Sequence, residues 1–385
     1  MDNFFDSQCY EVETGIALKK QIVFLKVGTN NFARCQLSLE NTILTLKNFG
    51  EESQILNSIN IANSYIEFND HVCMGRGVKI RQQKKELLIY GLTSQLKQIL
   101  KLYGIQKDFA NQYKVLKQIG SGSFGKVYKV KNVQNEQQFA VKMFEKQLLL
   151  DSSDKSAIVK EIQILRLMDH QNVLCIKECY ESDQCLFLVE ELFEMQMEIS
   201  QGNILKEDEA ISLLLKLLNG LEYIHSKKII HRDLKPDNIL FRNREDPIIA
   251  DFGFADFYRE DGIYLFQKCG TRNYIAPEII TNKNYDYKVD IYSLGVVFHQ
   301  LLTAQIPRPW DNYKHSPDCQ ALLNGMLQVN AIDRFSIKDI KQNKLVRRIQ
   351  RRSQIFDAMG SLSDFTQQNM STPQIKTQLF SINSA

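Results

Sequence analysis

The chain has 385 residues, 44% of them hydrophobic and 24% charged, with a formal net charge of +3 at pH 7. That leaves room for two or three domains with a large core, and the near-neutral balance points to no polyanion, so nucleic acid is not an expected partner. The eight cysteines (Cys9, Cys35, Cys73, Cys175, Cys179, Cys185, Cys269, Cys319) form no C-x-x-C pair, and Cys175, Cys179 and Cys185 have no histidine at metal-site spacing. They read as free thiols in a reducing compartment. No apolar run approaches the about 18 residues of a membrane span. Asp2 stands where myristoylation needs glycine, and the closing SINSA is no prenylation box, so a cytoplasmic protein without a transmembrane segment is expected.

In chain order, residues 1–106 hold short apolar or alternating runs, QIVFLKV, RCQLSL, TILTLKN, YIEFN, GVKIR and ELLIYG, separated by Asn, Gly and Asp. A helix should close the segment: Leu92, Leu96, Ile99, Leu100 and Tyr103 fall at helical spacing, and Gly104 would be its C-cap. Antiparallel strands capped by one helix resemble a pleckstrin-homology-like domain, on topology rather than on a motif. The resemblance implies a small β-barrel-like domain and a phosphoinositide contact through Lys19, Lys20, Lys26 and Arg34 of the first hairpin. Gln36 stands where lipid-binding members often carry arginine, and the closing helix lacks their tryptophan, the one tryptophan of the chain being Trp310. A solvated protein-interaction face is the alternative.

The stretch GSGSFGKV places Gly120, Gly122 and Gly125 between two strand-like runs, YKVLKQI and KVYKVKN. A dinucleotide-binding turn would open a helix instead. The order strand, glycine loop, strand predicts a β-hairpin flap whose backbone N–H groups can approach phosphates without Cβ obstruction. FAVK follows, ending at Lys142, and then AIVKEIQILRLM, with Ile158, Ile162, Leu165 and Met168 as a helical buried stripe.

HRDLKPDN at 231–238, DFG at 251–253 and APE at 276–278 complete a set of five motifs in one order. Together they resemble the eukaryotic protein kinases over residues 113–343. The resemblance implies an α+β bilobal fold, with a β-rich N-lobe and a helical C-lobe, and transfer of the γ-phosphate of ATP with Mg²⁺ to protein substrates. Lys142 would hold the α- and β-phosphates, oriented by Glu161. Asp233 would be the catalytic base, Lys235 would steady the γ-phosphate, and Asn238 and Asp251 would hold metal. Ile119, Gly120, Ser121, Gly122, Gly125, Val127, Ala140, Glu191 and Leu240 would surround the nucleotide. Phe252 would pack under the Glu161 helix. Lys235 and Thr271 resemble the serine/threonine rather than the tyrosine kinases. Asp290 and the pair Arg334 and Glu278 would hold the scaffold. A catalytically weak scaffold and a lipid-recruited adaptor are the rival readings.

Several features depart from the pattern. Glu190 takes a normally apolar place at the back of the adenine pocket, where an unpaired carboxylate would be costly. The segment FEMQMEISQGN is short, leaving Glu194 and Glu198 as stand-ins for an acid that meets ribose or a basic substrate. IPRPWDNYKHSPD is too short for the usual substrate-docking helix. No serine or threonine lies between Gly253 and Thr271, although Arg232 normally invites an activation-loop phosphate. Glu260 or Asp261 is expected to neutralise Arg232 instead, with phosphorylation of Tyr258 or Tyr264 as the lesser option. Residues 344–385 should form a basic and then polar tail, largely disordered. Leu345, Ile349, Phe356 and Met359 among basic residues resemble a calmodulin target, in keeping with a calcium/calmodulin-dependent kinase style, against a solvated basic helix as the alternative.

Overall fold

In the N-terminal unit, residues of alternating character become strands with one face inward, as a period of two requires. Cys35, Leu37 and Leu39 of β2 (Phe32–Glu40) and Leu44 and Leu46 of β3 (Ile43–Lys47) are buried, while their neighbours Gln36, Ser38 and Thr45 are less so. With β1 (Ala17–Lys26), β4 (Ile55–Asn60), β5 (Tyr65–His71), β6 (Gly75–Gln82) and β7 (Lys85–Tyr90), they run antiparallel in the order β4-β3-β2-β1-β7-β6-β5. The computed structural model describes residues 16–28, 31–49, 54–62, 64–121, 125–149, 151–201, 204–258, 269–281, 284–308 and 315–352.

Helix α1 (Ser94–Tyr103) covers this sheet with Leu96, Leu100 and Tyr103, and Thr93 Oγ1 caps it by accepting from the Leu96 N–H at 3.2 Å. Complete burial of a leucine such as Leu96 or Leu100 stabilises the unit by about 2 kcal/mol. Gly104 does end the helix, but its backbone is extended rather than left-handed. A Cβ there would lie 2.8 Å from the Ile66 side chain and from the Leu100 carbonyl oxygen, so glycine serves a close approach and not a turn.

That approach delivers the chain to β8 (Ile105–Gln106), which runs parallel to β5 on one side and to β12 (Ile176–Glu181) on the other. Through it the N-terminal strands join β9 (Tyr113–Ser121), β10 (Lys126–Asn132), β11 (Gln138–Glu145), β12 and β13 (Cys185–Glu191) in one 13-stranded sheet. The four-residue α2 (Phe109–Gln112) links β8 to β9. Side chains reinforce the joint. Lys101 Nζ meets Glu178 Oε1 at 2.5 Å, the Tyr103 hydroxyl donates to the Arg166 carbonyl at 3.2 Å, and Arg166 Nε donates to the Leu102 carbonyl at 3.2 Å. Tyr65 donates to Glu181 across the same seam. The break expected at residue 106 therefore lies inside a shared sheet.

Arg166 ends α3 (Ser152–Arg166), which packs on that sheet with Ile158, Ile162 and Leu165 buried. The second lobe is mainly helical: α4 (Glu207–Ser226), the short α5 (Pro277–Ile280), α6 (Lys288–Thr303), α7 (Pro317–Met326) and α8 (Ile337–Gln342). Two small ladders lie against it, β14 (Met195–Gln196), β16 (Ile239–Phe241) and β17 (Pro247–Ile249) in one, and β15 (Ile229–Ile230) with β18 (Asp256–Phe257) in the other. Helix α6 is apolar nearly all round because it runs through the core rather than along it.

The expected lobe end at 343 needs correction. Residues 344–352 are helical, and Leu345, Val346 and Ile349 lie in the core, with Arg352 reaching Asp208 at 3.3 Å. Two of the four apolar residues of the calmodulin-like stretch are thus committed to packing; Phe356 and Met359 lie outside the described residues. So do residues 309–314 of the shortened segment, after which Ser316 caps α7. Among the described residues, no helix is long and apolar enough to cross a membrane.

Candidate active site

Cross-strand register builds the upper wall of a cleft between the lobes. Ala140 and Lys142 alternate onto one face of β11, and their partners across the ladders, Glu190 and Leu188 on β13 and Val127 opposite Lys142 on β10, share it. Gly120 pairs with Val127 on the outer strand β9, which also carries Ile119 and Ser121. Gly125 fits under β11, where a Cβ would lie 2.7 Å from the Met143 carbonyl oxygen. Gly122 lies outside the described residues. Leu240 comes from β16 in the lower lobe.

Lys142 is the hub. Its Nζ lies 2.6 Å from Glu161 Oε1 on α3 and 3.2 Å from Asp251 Oδ1. Burial works against the ammonium, but Glu161 and Asp251 hold it above the ordinary lysine range, so it stays charged. Burial likewise opposes ionisation of Asp251, yet Lys142 keeps that carboxyl below the usual carboxylate range. Phe252 is buried in the core that also receives Ile158 and Ile162 of α3, 5.1 Å from the His231 ring.

Asp233 sits in a second cluster. Its Oδ1 accepts from both the backbone N–H and the hydroxyl of Thr271 at 2.8 Å, and its Oδ2 lies 3.1 Å from Lys235 Nζ and 3.0 Å from Asn238 Nδ2. Lys235 Nζ also donates to Thr271 Oγ1 at 2.8 Å. The loop is anchored from beneath by buried Asp290, which accepts from the His231 and Arg232 N–H groups at 2.9 and 2.8 Å and meets His225 at 2.9 Å. Burial alone would raise Asp290, but these donors hold it below the usual range. Arg232 and Asp251 have left-handed backbones, φ 67° and 60°, uncommon in residues with a Cβ and typical of sites that hold local strain.

The nucleotide-pocket expectation for Glu191 is narrowed. Its position on β13 alternates away from Glu190, and its carboxylate meets Arg242 Nε at 3.4 Å, so only its backbone remains to face a base. Glu194 is occupied by Lys129 at 2.5 Å. Glu260 and Asp261 lie outside the described residues. Among the described residues a carboxylate at Arg232 is that of Asp256, 3.4 Å from its guanidinium, which belongs to none of the five motifs. Its one sequence signal is that it is an acid three residues beyond Gly253.

Glu190 is as anomalous as its position suggests. It is 7% exposed, and none of the described groups hydrogen-bonds its carboxyl. Burial pushes it up to about 8; Lys142 pulls the other way, and the negative charges of Glu161 and Asp251 add to the rise. The folded protein therefore keeps a proton between the ordinary glutamate range and pH 8 that the unfolded chain has lost, so this group's contribution to stability falls as pH rises through that window. Glu190→Gln removes the ionisation. The variant should melt about 5 °C higher than the parent at pH 8.5, with the gain shrinking towards zero at pH 5. An equal gain at both values in a thermal-melt series would refute the account.

A two-lobed fold with a lysine–glutamate pair above and an aspartate loop below defines a protein kinase domain. Residues 113–346 match that family, more than half of the chain, and the chain belongs to it. It is similar to the carbon catabolite-derepressing protein kinase of Candida glabrata, at 34% identity over 60% of this chain and 41% of that protein. The serine/threonine-protein kinase cds1 of Schizosaccharomyces pombe is 38% identical over 52% of this chain and 46% of its own. The serine/threonine-protein kinase SIK1 of Mus musculus is 31% identical over 66% and 36%. The chain spans less than half the length of each of these relatives.

Proposed function

We propose that the chain is a serine/threonine protein kinase that transfers the γ-phosphate of Mg-ATP to a protein hydroxyl. The observation that carries this reading is the simultaneous presence of the Lys142–Glu161 pair at 2.6 Å, which reaches Asp251 at 3.2 Å, and of the Asp233–Lys235–Thr271 cluster. Phosphoryl transfer has a loose, charge-spread transition state, so positioned charge is most of what a protein must supply. Lys142 holds the non-transferred phosphates. Asp233 orients the substrate hydroxyl and takes its proton as the new O–P bond forms and the bond to the β-phosphate oxygen breaks. Lys235, fixed between Asp233 and Thr271, stabilises the charge on the group in transit.

The donor set suits Mg²⁺, a hard ion that prefers oxygen. Asp251 is kept ionised, and Asn238 spends its amide nitrogen on the Asp233 carbonyl and carboxylate at 2.9 and 3.0 Å, leaving its carbonyl oxygen for a ligand. When bound, the metal would offset phosphate charge. We further assign residues 1–106 as a pleckstrin-homology-like domain; the strand order and closing helix support this.

The test is transfer of labelled γ-phosphate from ATP with Mg²⁺ to casein, histone and basic peptides, followed by phosphoamino-acid analysis. Label on serine or threonine is expected. Label on tyrosine alone would overturn the specificity, and ATP binding without transfer would favour a scaffold.

A further inference from the structure

The absence of serine and threonine between Gly253 and Thr271 leaves open what holds the active arrangement, because kinase loops are commonly ordered by a new arginine–phosphate pair. The structure offers a carboxylate at that place. The short ladder β15–β18, in register Ile230↔Asp256, sets Asp256 beside the start of the catalytic loop. Asp256 Oδ2 accepts from Lys160 Nζ at 2.9 Å and lies 3.4 Å from the Arg232 guanidinium, while its Oδ1 accepts from the Phe257 N–H at 2.9 Å. Arg232 is further aimed by its Nε bond to the Phe254 carbonyl at 2.6 Å and by the Tyr285 hydroxyl at 3.3 Å.

The two cations flank the chemistry in sequence. Lys160 immediately precedes Glu161, and Arg232 immediately precedes Asp233. One carboxylate oxygen thus ties the helix that orients Lys142 to the loop that holds the base. A phosphate bound at Arg232 would make the same kind of bridge with more charge; Asp256 makes it without modification. The side chains are only partly exposed, at 38% for Lys160, 27% for Asp256 and 10% for Arg232, so the contact is screened less than a fully exposed ion pair.

We propose that Asp256 is a built-in ionic clip between α3 and the catalytic loop, a positioning residue that makes the active arrangement independent of activation-loop phosphorylation. This rests on the kinase reading above. Lys160 is its partner in that role, and Tyr258 and Tyr264 need carry no phosphate.

The test uses the full chain, treated with phosphatase until mass spectrometry finds no phosphate between residues 253 and 271. Its kcat should be unchanged by the treatment, and the Tyr258→Phe, Tyr264→Phe double change should leave it unchanged too. Asp256→Asn and Lys160→Met should each lower kcat about tenfold, the loss of one charge-assisted contact. Their combination should be no worse than either alone, because both cut the same bridge. Asp256→Glu should recover most of the loss, and the melting temperature should stay near the parent value throughout, which separates positioning from simple unfolding. Loss of activity on dephosphorylation would overturn the clip while leaving the kinase reading intact. So would an undiminished Asp256→Asn variant, or losses that simply multiply. Absence of transfer in every wild-type preparation would instead overturn the kinase reading and the clip with it.

Discussion

Asp233→Asn should lower kcat by at least about a thousandfold while ATP still binds, because general-base and positioning functions at one carboxylate together supply several kcal/mol of barrier reduction. The geometry makes the case specific. Asp233 has its two oxygens divided between Thr271 on one side and Lys235 with Asn238 on the other. Asparagine is close in shape, so the fold should be retained, but its amide cannot accept the substrate proton and turns a donor towards either Thr271 or the Lys235 ammonium. Lys142 and Asp251 are untouched, so ATP protection against heat should survive. Single-turnover transfer measured beside a thermal shift with ATP separates the two quantities. Transfer within tenfold of the parent would remove Asp233 from the proposed mechanism.

Arg334→Met should destabilise the second lobe by about 4 kcal/mol and lower the melting temperature by about 10 °C. Arg334 is 1% exposed and holds Glu278 through two bonds of 2.6 and 2.9 Å, while also donating to the carbonyls of Gln328 and Lys288 at 2.9 and 2.8 Å. Methionine fills much of the volume but leaves the Glu278 carboxylate buried without its counter-charge. That is the costly half of breaking a buried pair, and it is a large fraction of the about 5–15 kcal/mol that keeps a domain folded. Arg334→Lys should recover only part of the loss, since an ammonium cannot reproduce the planar two-pronged contact. A urea titration showing less than about 1 kcal/mol for Arg334→Met would show that the pair contributes no more than a surface contact.

What could be read from the linear chain was what phosphate chemistry prescribes. Under the proposed kinase chemistry a lysine, two aspartates and an asparagine are needed, and their motifs keep a fixed order, so Lys142, Asp233, Asn238 and Asp251 are nominated by sequence; the structure pairs Lys142 with Asp251 and Asn238 with Asp233. The strands of the first segment were visible by alternation, except β4, whose Asn57, Ser58 and Asn60 blur the pattern. The joint at β8 was hidden because two residues, Ile105 and Gln106, carry no period at all. Gly104 caps the helix as its place after the last apolar residue implies, but the close approach of Ile66 that also requires a glycine there has no local signal. Asp256 was invisible because its partners, Lys160 and Arg232, come from elements remote in sequence and meet it only after folding. The helix at 344–352 reads as a basic tail or a solvated basic helix because its basic residues dominate the composition, while the burial of Leu345, Val346 and Ile349 exists only once the core has formed.

The continuity of the large sheet bears on how this chain is made. Synthesis proceeds from the N-terminus, so β5 and β8 leave the ribosome well before β12, the strand that β8 must find on its open side. Until β12 arrives, that edge presents unpaired N–H and C=O groups, a template for any other extended chain nearby. The same holds in reverse for a kinase lobe severed before Tyr113. It would carry β12 as a bare border, with Glu178 and Glu181 stripped of Lys101 and Tyr65 and the Arg166 carbonyl stripped of Tyr103. Neither half is a finished surface by itself. The N-terminal unit therefore supplies the strand that completes the border of the lobe's sheet.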